Sequence, residues 1–279
     1  MNRRDLIVDN VRLSHLAAGS GPPLVVLPGW SQAAAQFVPV AERLARSRRV
    51  LVLDHRGQGE SEDPARGFNI HRLAGDLHEI LSQEQLEGVA LLGHSMGVAV
   101  IYAYLDLFGD RRIERLVLSD QRPALVRRPA WTEDEALDAG VALGPERLAE
   151  FHQSLAGPQG DEVFAEAMHG MVSRDLPADR FEALLDHTRM ERRARADVYW
   201  SMAATDLRDV ITTIRRPTLV VTGEASMVPR RSQEWVAASI GGARLAVIPA
   251  VDGGSHFAHY ENPAAYCDVV EPFLRPASG

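Results

Sequence analysis

The chain has 279 residues, 46% hydrophobic and 24% charged, the balance of a globular protein large enough for one α/β domain with an insertion or for two small domains. A net charge of −8 argues against a nucleic-acid surface, which wants clustered positive charge. A single cysteine excludes an internal disulfide and a cysteine metal cluster, and no apolar run is long enough to span a membrane.

All thirty basic residues are arginine. The runs Arg46 to Arg49 and Arg192 to Arg195 read as solvated helix ends and loops rather than as a phosphate site. The first residues, Met1 to Asp5, enter a strand-like segment with no apolar signal core, so the expectation is a cytoplasmic protein.

Leu6 to Val8 and Val11 to Leu16 predict an edge hairpin turning at Asp9-Asn10. Leu24 to Leu27 is a short apolar run bounded by turn residues, the pattern of a buried strand. A helical pattern over Phe37 to Ala45 precedes a second such strand, Val50 to Leu53. Leu73 to Leu86 places Leu73, Leu77, Ile80 and Leu81 on one helix face. Strand Val89 to Leu92 and helix Met96 to Leu107 follow, then strand Leu116 to Leu118. Strands Thr218 to Val221 and Leu245 to Ile248, with helices Arg231 to Ile240 and Pro263 to Phe273, complete the chain. Only the last residues, Pro276 to Gly279, read as lacking structure.

Continuous apolar strands alternating with helices predict a doubly wound, mostly parallel sheet covered on both faces. Reactive groups in such sheets gather where the strands end at their carboxyl edge. The stretch from Asp120 to Pro217 is far longer than a crossover needs. It carries helical patterns at Glu133 to Ala142, Pro145 to Ala156, Asp161 to Met171, Arg180 to Glu191 and Val198 to Met202. This predicts a core domain, 1–122 with 209–279, and a helical cap, 123–208.

Gly93-His94-Ser95-Met96-Gly97 is a G-x-S-x-G sequence set directly between a strand and a helix. A sharp turn there lifts the serine hydroxyl out of the sheet, and small residues two before and two after it avoid a clash. Three further segments match in order and spacing: Leu27-Pro28-Gly29-Trp30, Asp54 to Ser61, and Gly253-Gly254-Ser255-His256-Phe257. Together they resemble the α/β-hydrolase superfamily over almost the whole chain.

The resemblance implies Ser95 as nucleophile, His256 as base, and the backbone amides of Trp30 and Met96 as oxyanion hole. It implies no metal or cofactor. Asp54 and Arg56 are expected to hold the loop beneath the site. The acid departs from the usual pattern. Gly223 to Pro229 carries Ser226 where the family's aspartate is expected, in a loop one residue short. Asp120, at the end of the preceding strand, is the favoured acid, with Glu224 and Asp252 as alternatives. Neighbouring strands lie about 4.8 Å apart, so an acid moved by one strand still reaches the histidine.

Trp30, Trp131, Tyr199, Trp200 and Phe257 are candidate substrate contacts, with Phe151, Met168, Met171 and Met202 as further lining. They suggest a hydrophobic or aromatic small molecule, and the cap shows no clamp for a charged one. A homodimer is compatible with the sequence. Ester or lactone hydrolysis is the first functional expectation. A cofactor-independent dioxygenase or other non-hydrolytic tailoring enzyme, and a hydrolase-fold ligand-binding protein, are the alternatives. A serine nucleophile disfavours epoxide hydrolase and haloalkane dehalogenase chemistry, which needs a carboxylate.

Overall fold

The computed structural model describes residues 1–186 and 190–275. Eight strands are present: β1 (Asn2–Val8), β2 (Val11–Ala18), β3 (Pro23–Leu27), β4 (Arg49–Leu53), β5 (Val89–His94), β6 (Ile113–Ser119), β7 (Thr218–Gly223) and β8 (Arg244–Ile248). They form one sheet in the order β1-β2-β4-β3-β5-β6-β7-β8. β1 pairs antiparallel with β2, and β2 antiparallel with β4, while every pair from β4 to β8 is parallel. The Asp9-Asn10 turn has φ of 51° and 59°, the positive values a two-residue hairpin turn requires.

Helices α1 (Val38–Leu44), α2 (Ile70–Gln83) and α3 (Met96–Phe108) connect the first parallel strands. Among the described residues six helices lie between β6 and β7: α4 (Glu133–Ala139), α5 (Pro145–Ala156), α6 (Gly160–His169), α7 (Ala178–Asp186), α8 (Arg192–Ala204) and α9 (Arg208–Thr213). α10 (Arg230–Ser239), α11 (Ala258–Glu261) and α12 (Pro263–Leu274) complete the chain.

Alternation along each strand sends side chains to two separate cores. Val25, Leu27, Leu51 and Leu91 join the core packed by α2 and α3. Leu24, Val26, Val52 and Leu92 join the other, packed by α1 and α12. Strands buried on both faces read as continuous apolar runs for this reason. At about 25 cal/mol per Å², each such side chain contributes roughly 1.5–3 kcal/mol.

Between β6 and β7 the helices do not all behave alike. α5 packs on α6 and α8, whereas α4 packs on α10 and α9 on α3. α4 and α9 thus lean on helices of the sheet layer. The pattern expected over Arg180 to Glu191 is helical only to Asp186; its residues 187–189 lie outside the described residues, as do Pro276 to Gly279. Two arginines from the runs expected to be solvated are buried instead. Arg48 donates to Leu274 O, and Arg195 donates to Met190 O and Asp161. Charge runs report composition, and burial depends on which carbonyls and carboxylates the fold brings near. Among the described residues no helix is long and apolar enough to cross a membrane.

The chain leaves β3 toward β4 on one side and later continues from β5 to β8 on the other. That reversal opens a crevice at the carboxyl ends of β3 and β5, the usual ligand position in such sheets.

Candidate active site

Ser95 sits between the last residue of β5 and the first of α3, with φ 51° and ψ −123°. A non-glycine residue held there stores strain of order 1–3 kcal/mol, which the surrounding structure must enforce. The Ser95 N–H donates to Ser119 O of the neighbouring strand at 2.8 Å, and Val98 N–H donates to Ser95 O at 2.8 Å. Both glycines of the elbow are forced. A Cβ on Gly97 would lie 2.1 Å from Leu27 O, and one on Gly93 would lie 2.7 Å from the Gly97 carbonyl carbon. The Ser95 side chain makes no capping bond to α3, so its hydroxyl is uncommitted.

β6 runs beside β5 with Ser119 opposite His94, which places Asp120 next to the elbow. Asp120 has φ 58° and is fixed by its N–H donating to Val221 O at 2.9 Å. Its carboxylate accepts three bonds: from Thr222 Oγ1 at 2.5 Å, Ser226 Oγ at 2.5 Å and His256 Nδ1 at 2.6 Å. Ser226 therefore stands where an aspartate was expected and donates to the aspartate that replaces it. Thr222 and Ser226 were not singled out as contacts to Asp120 from the sequence. The register of β6 against β7 was the missing information. Glu224 and Asp252 are exposed, and neither reaches His256. The Glu224 carboxylate accepts from Ala250 N–H at 2.9 Å instead.

His256 is buried on the loop after β8, and its ring faces a cavity that Ser95 also lines. Ser95 Oγ forms no hydrogen bond among the described residues, a looseness common before a substrate is bound. The other histidines nearby are held neutral by burial. His94 is pushed well below the ordinary range, and its Nε2 donates to His256 O at 2.7 Å. His55 is lowered to about 4 and bonds Pro28 O at 3.2 Å. His259 is lowered to about 3 and stacks on Phe37 with centroids 4.1 Å apart.

Trp30 follows β3 and Met96 opens α3, with their backbone N–H groups unclaimed by any hydrogen bond among the described residues. The loop carrying Trp30 is clamped from two sides. Gly29 N–H donates to Gln32 Oε1 at 2.5 Å, and Ala34 N–H donates to Asp54 Oδ1 at 2.7 Å. Asp54 thus holds the loop as expected. Arg56 anchors its own turn by pairing with Asp76 of α2 through bonds of 2.7 and 2.6 Å and donating to Arg66 O at 3.3 Å.

Residues 24–269 match the alpha/beta hydrolase family. The chain belongs to that family. This hydrolase is 28% identical over 264 residues to the pimeloyl-[acyl-carrier protein] methyl ester esterase of Aeromonas hydrophila subsp. hydrophila, covering 92% of this chain and 96% of that one. It is 36% identical to the soluble epoxide hydrolase of Corynebacterium sp. (strain C12), but over 125 residues, 43% of this chain and 42% of that one. Among solved structures, the enol-lactonase of Burkholderia xenovorans LB400 superimposes with TM-score 0.82 at 22% identity, covering 97% of this chain and 99% of that one. The bromoperoxidase of Bacillus anthracis gives 0.88 at 22% identity, covering 99% and 100%. At that identity the likeness is one of fold.

The hydrolase's cavity holds about 540 Å³, counting its open mouth. Trp30, Tyr199 and Phe257 line it, with Met168, Met171 and Met202. The Trp30 ring lies 4.7 Å from Tyr199 and 5.1 Å from Phe164, and its Nε1 donates to Arg195 O at 3.0 Å. Trp131 and Trp200, expected to contact substrate, do not line the cavity. Trp131 packs beneath the Arg208 guanidinium, 3.8 Å from its ring centroid. Trp200 is 40% exposed and meets His152 edge-on. Adjacent helix positions point about 100° apart, so Tyr199 faces the site and Trp200 turns away. Gln121, Arg122, Leu125, Met227 and Val228 also line the cavity and were not anticipated.

Proposed function

We propose that this hydrolase cleaves an ester or lactone of a largely apolar small molecule through a Ser95–His256–Asp120 triad. One observation carries the reading: the strained Ser95 shares a cavity with His256, whose Nδ1–H is held by a triply bonded buried carboxylate. Ser95 Oγ attacks the carbonyl while His256 Nε2 takes its proton, and Asp120 steadies the imidazolium. The amides of Trp30 and Met96 hold the oxyanion. His256 returns the proton to the leaving alkoxide, and a water it activates then releases the acyl group.

The helices over the site act as its cap and give the cavity its apolar wall. Relatives named esterase and lactonase support this class. The relative named epoxide hydrolase does not redirect the reading, because a serine would open an epoxide to a stable ether rather than to a hydrolysable ester.

Exposure of intact protein to a fluorophosphonate probe tests the nucleophile. A single adduct on wild type, absent from Ser95→Ala, is the expected result. A folded wild type that takes no adduct overturns it.

The neighbours named bromoperoxidase and non-heme chloroperoxidase favour one side reaction. Hydrogen peroxide in place of water would leave with the acyl group as a peracid, regenerating Ser95. Peracid formation from acetate and peroxide, lost in Ser95→Ala, is its check.

A further inference from the structure

Four arginines are buried among the described residues: Arg48, Arg56, Arg122 and Arg195. Three of them meet a carboxylate. Arg56 lies 2.6 Å from Asp76, Arg195 lies 3.2 Å from Asp161, and Arg48 lies 3.6 Å from Glu114. Among the described residues Arg122 has no such partner. Its guanidinium donates to two backbone carbonyls, Gly140 O at 3.0 Å and Met227 O, and to Met227 Sδ at 3.4 Å, and its Nε donates to nothing among the described residues.

A cation removed from water without a counter-charge is unfavourable, and burial accordingly lowers the Arg122 pKa. The carboxylate whose field acts on it is Asp120, already engaged by Thr222, Ser226 and His256.

Arg122 stands two residues beyond Asp120, on the wall of the cavity that Ser95 and His256 line. Gln121 and Tyr199 line the same cavity. The Gln121 amide and the Tyr199 hydroxyl have no hydrogen-bond partner among the described residues. Burial raises the Tyr199 pKa, so its hydroxyl keeps its proton and remains a donor. Beside Ser95, the histidines and Gln32, whose buried Nε2 also lacks an acceptor, this largely apolar cavity thus holds one guanidinium without a counter-charge and two further neutral groups able to donate.

We propose that Arg122, with Gln121 and Tyr199, binds a carboxylate carried by the substrate, so that the preferred ester or lactone is an acid-bearing one. A guanidinium fork matches a planar carboxylate through paired donors. One positive charge suits a monoanion better than a phosphate dianion. The substrate assignment rests on the serine-hydrolase reading, whereas the anion subsite does not.

The test compares matched pairs of esters. One series is the 4-nitrophenyl monoesters of succinate, adipate and suberate against the same compounds methylated at the free acid. The second, with the charge on the alcohol side, is 4-carboxyphenyl acetate against its methyl ester. Wild type is expected to favour the acid in at least one series by about tenfold or more in kcat/KM, the size of a hydrogen bond to a charged group. Arg122→Met brings that ratio to about one, and Arg122→Lys retains part of it.

A wild-type ratio at or below one in both series overturns the proposal. So does an Arg122→Met variant that slows both members of a pair equally, the behaviour of an arginine that merely ties Gly140 to Met227. If wild type turns over none of these esters and takes no fluorophosphonate adduct, the serine reading has failed. Calorimetry of Ser95→Ala protein with monomethyl and dimethyl adipate then decides the subsite. Binding of the monoacid alone, lost on adding Arg122→Met, sustains it, and no binding of the monoacid ends it.

Discussion

The two sides of the cavity are held together by different forces. On the sheet side, Asp120, His256 and Ser226 are joined by bonds of 2.5–2.6 Å, and Ser31, Ser95 and Asp120 all carry positive φ. On the helical side, Trp30, Phe151, Phe164 and Tyr199 meet through tilted and edge-on rings 4.7–6.3 Å apart. Hydrogen bonds to a buried carboxylate are directional and fix a geometry to a few tenths of an ångström. Ring contacts are broad, and their members can be exchanged at modest cost. The proposed chemistry and carboxylate subsite draw on the first side and the apolar wall on the second, and substitutions can separate them.

The largest expected effect is at Asp120. Asp120→Asn keeps the shape but removes the charge and sets the wrong histidine tautomer, so kcat should fall by about 10³-fold or more. Steady-state hydrolysis of an aryl ester reads it directly. Near-normal turnover in Asp120→Asn, with loss instead in Glu224→Gln or Asp252→Asn, would move the acid elsewhere and break the contrast.

Acid should loosen the sheet side first. His55 and His259 are depressed in the folded protein to about 4 and about 3, whereas in the unfolded chain they titrate near 6.5. The unfolded state therefore binds more protons between those values. The stability these histidines confer is complete above about pH 6.5 and is lost as pH falls toward 4. Each contributes about 1.4 kcal/mol per pH unit, so from pH 6.5 to 4.5 each removes roughly 2–3 kcal/mol. His94, depressed for the same reason, adds in the same direction, and urea unfolding at the two pH values measures the sum. His259→Leu should shrink the difference by one histidine's share, and an unchanged difference would show that His259 is not held neutral.

A smaller loss is expected at Ser226. Ser226→Ala removes one of three donors to Asp120, and about a tenfold drop in kcat with KM held follows from the size of a hydrogen bond to a charge. An unaltered kcat would reduce Ser226 to a loop residue. The smallest effects lie on the helical side. Tyr199→Ala should raise KM several-fold with little change in kcat, while Trp131→Ala and Trp200→Ala leave kcat/KM within about twofold. A large KM effect at Trp200 would mean that the cavity wall extends beyond the residues seen to line it.

The shared cavity of Ser95 and His256 was expected from the family resemblance, whereas the strands, their burial on both faces and the elbow glycines were legible from local pattern alone. Each is enforced by neighbours in sequence: a period of two, a strand–turn–helix junction, or a carbonyl that a Cβ would strike. The choice of Asp120 over Glu224 and Asp252 was legible only as a preference, since three carboxylates lie close in sequence to strand ends. Register brings Asp120, the residue after β6, to the His256 ring, while Glu224 turns to Ala250.

The sequence could not say which aromatic residues of the helical segment face inward, or that Arg122 is buried without a carboxylate partner among the described residues. Those facts depend on the packing of α5, α6 and α8 and on the meeting of Gly140 and Met227, which come from separate parts of the chain. By itself the sequence determined the frame and named the candidate reacting residues. The tertiary structure decided orientation and charge balance, because both are sums over neighbours that no local pattern contains.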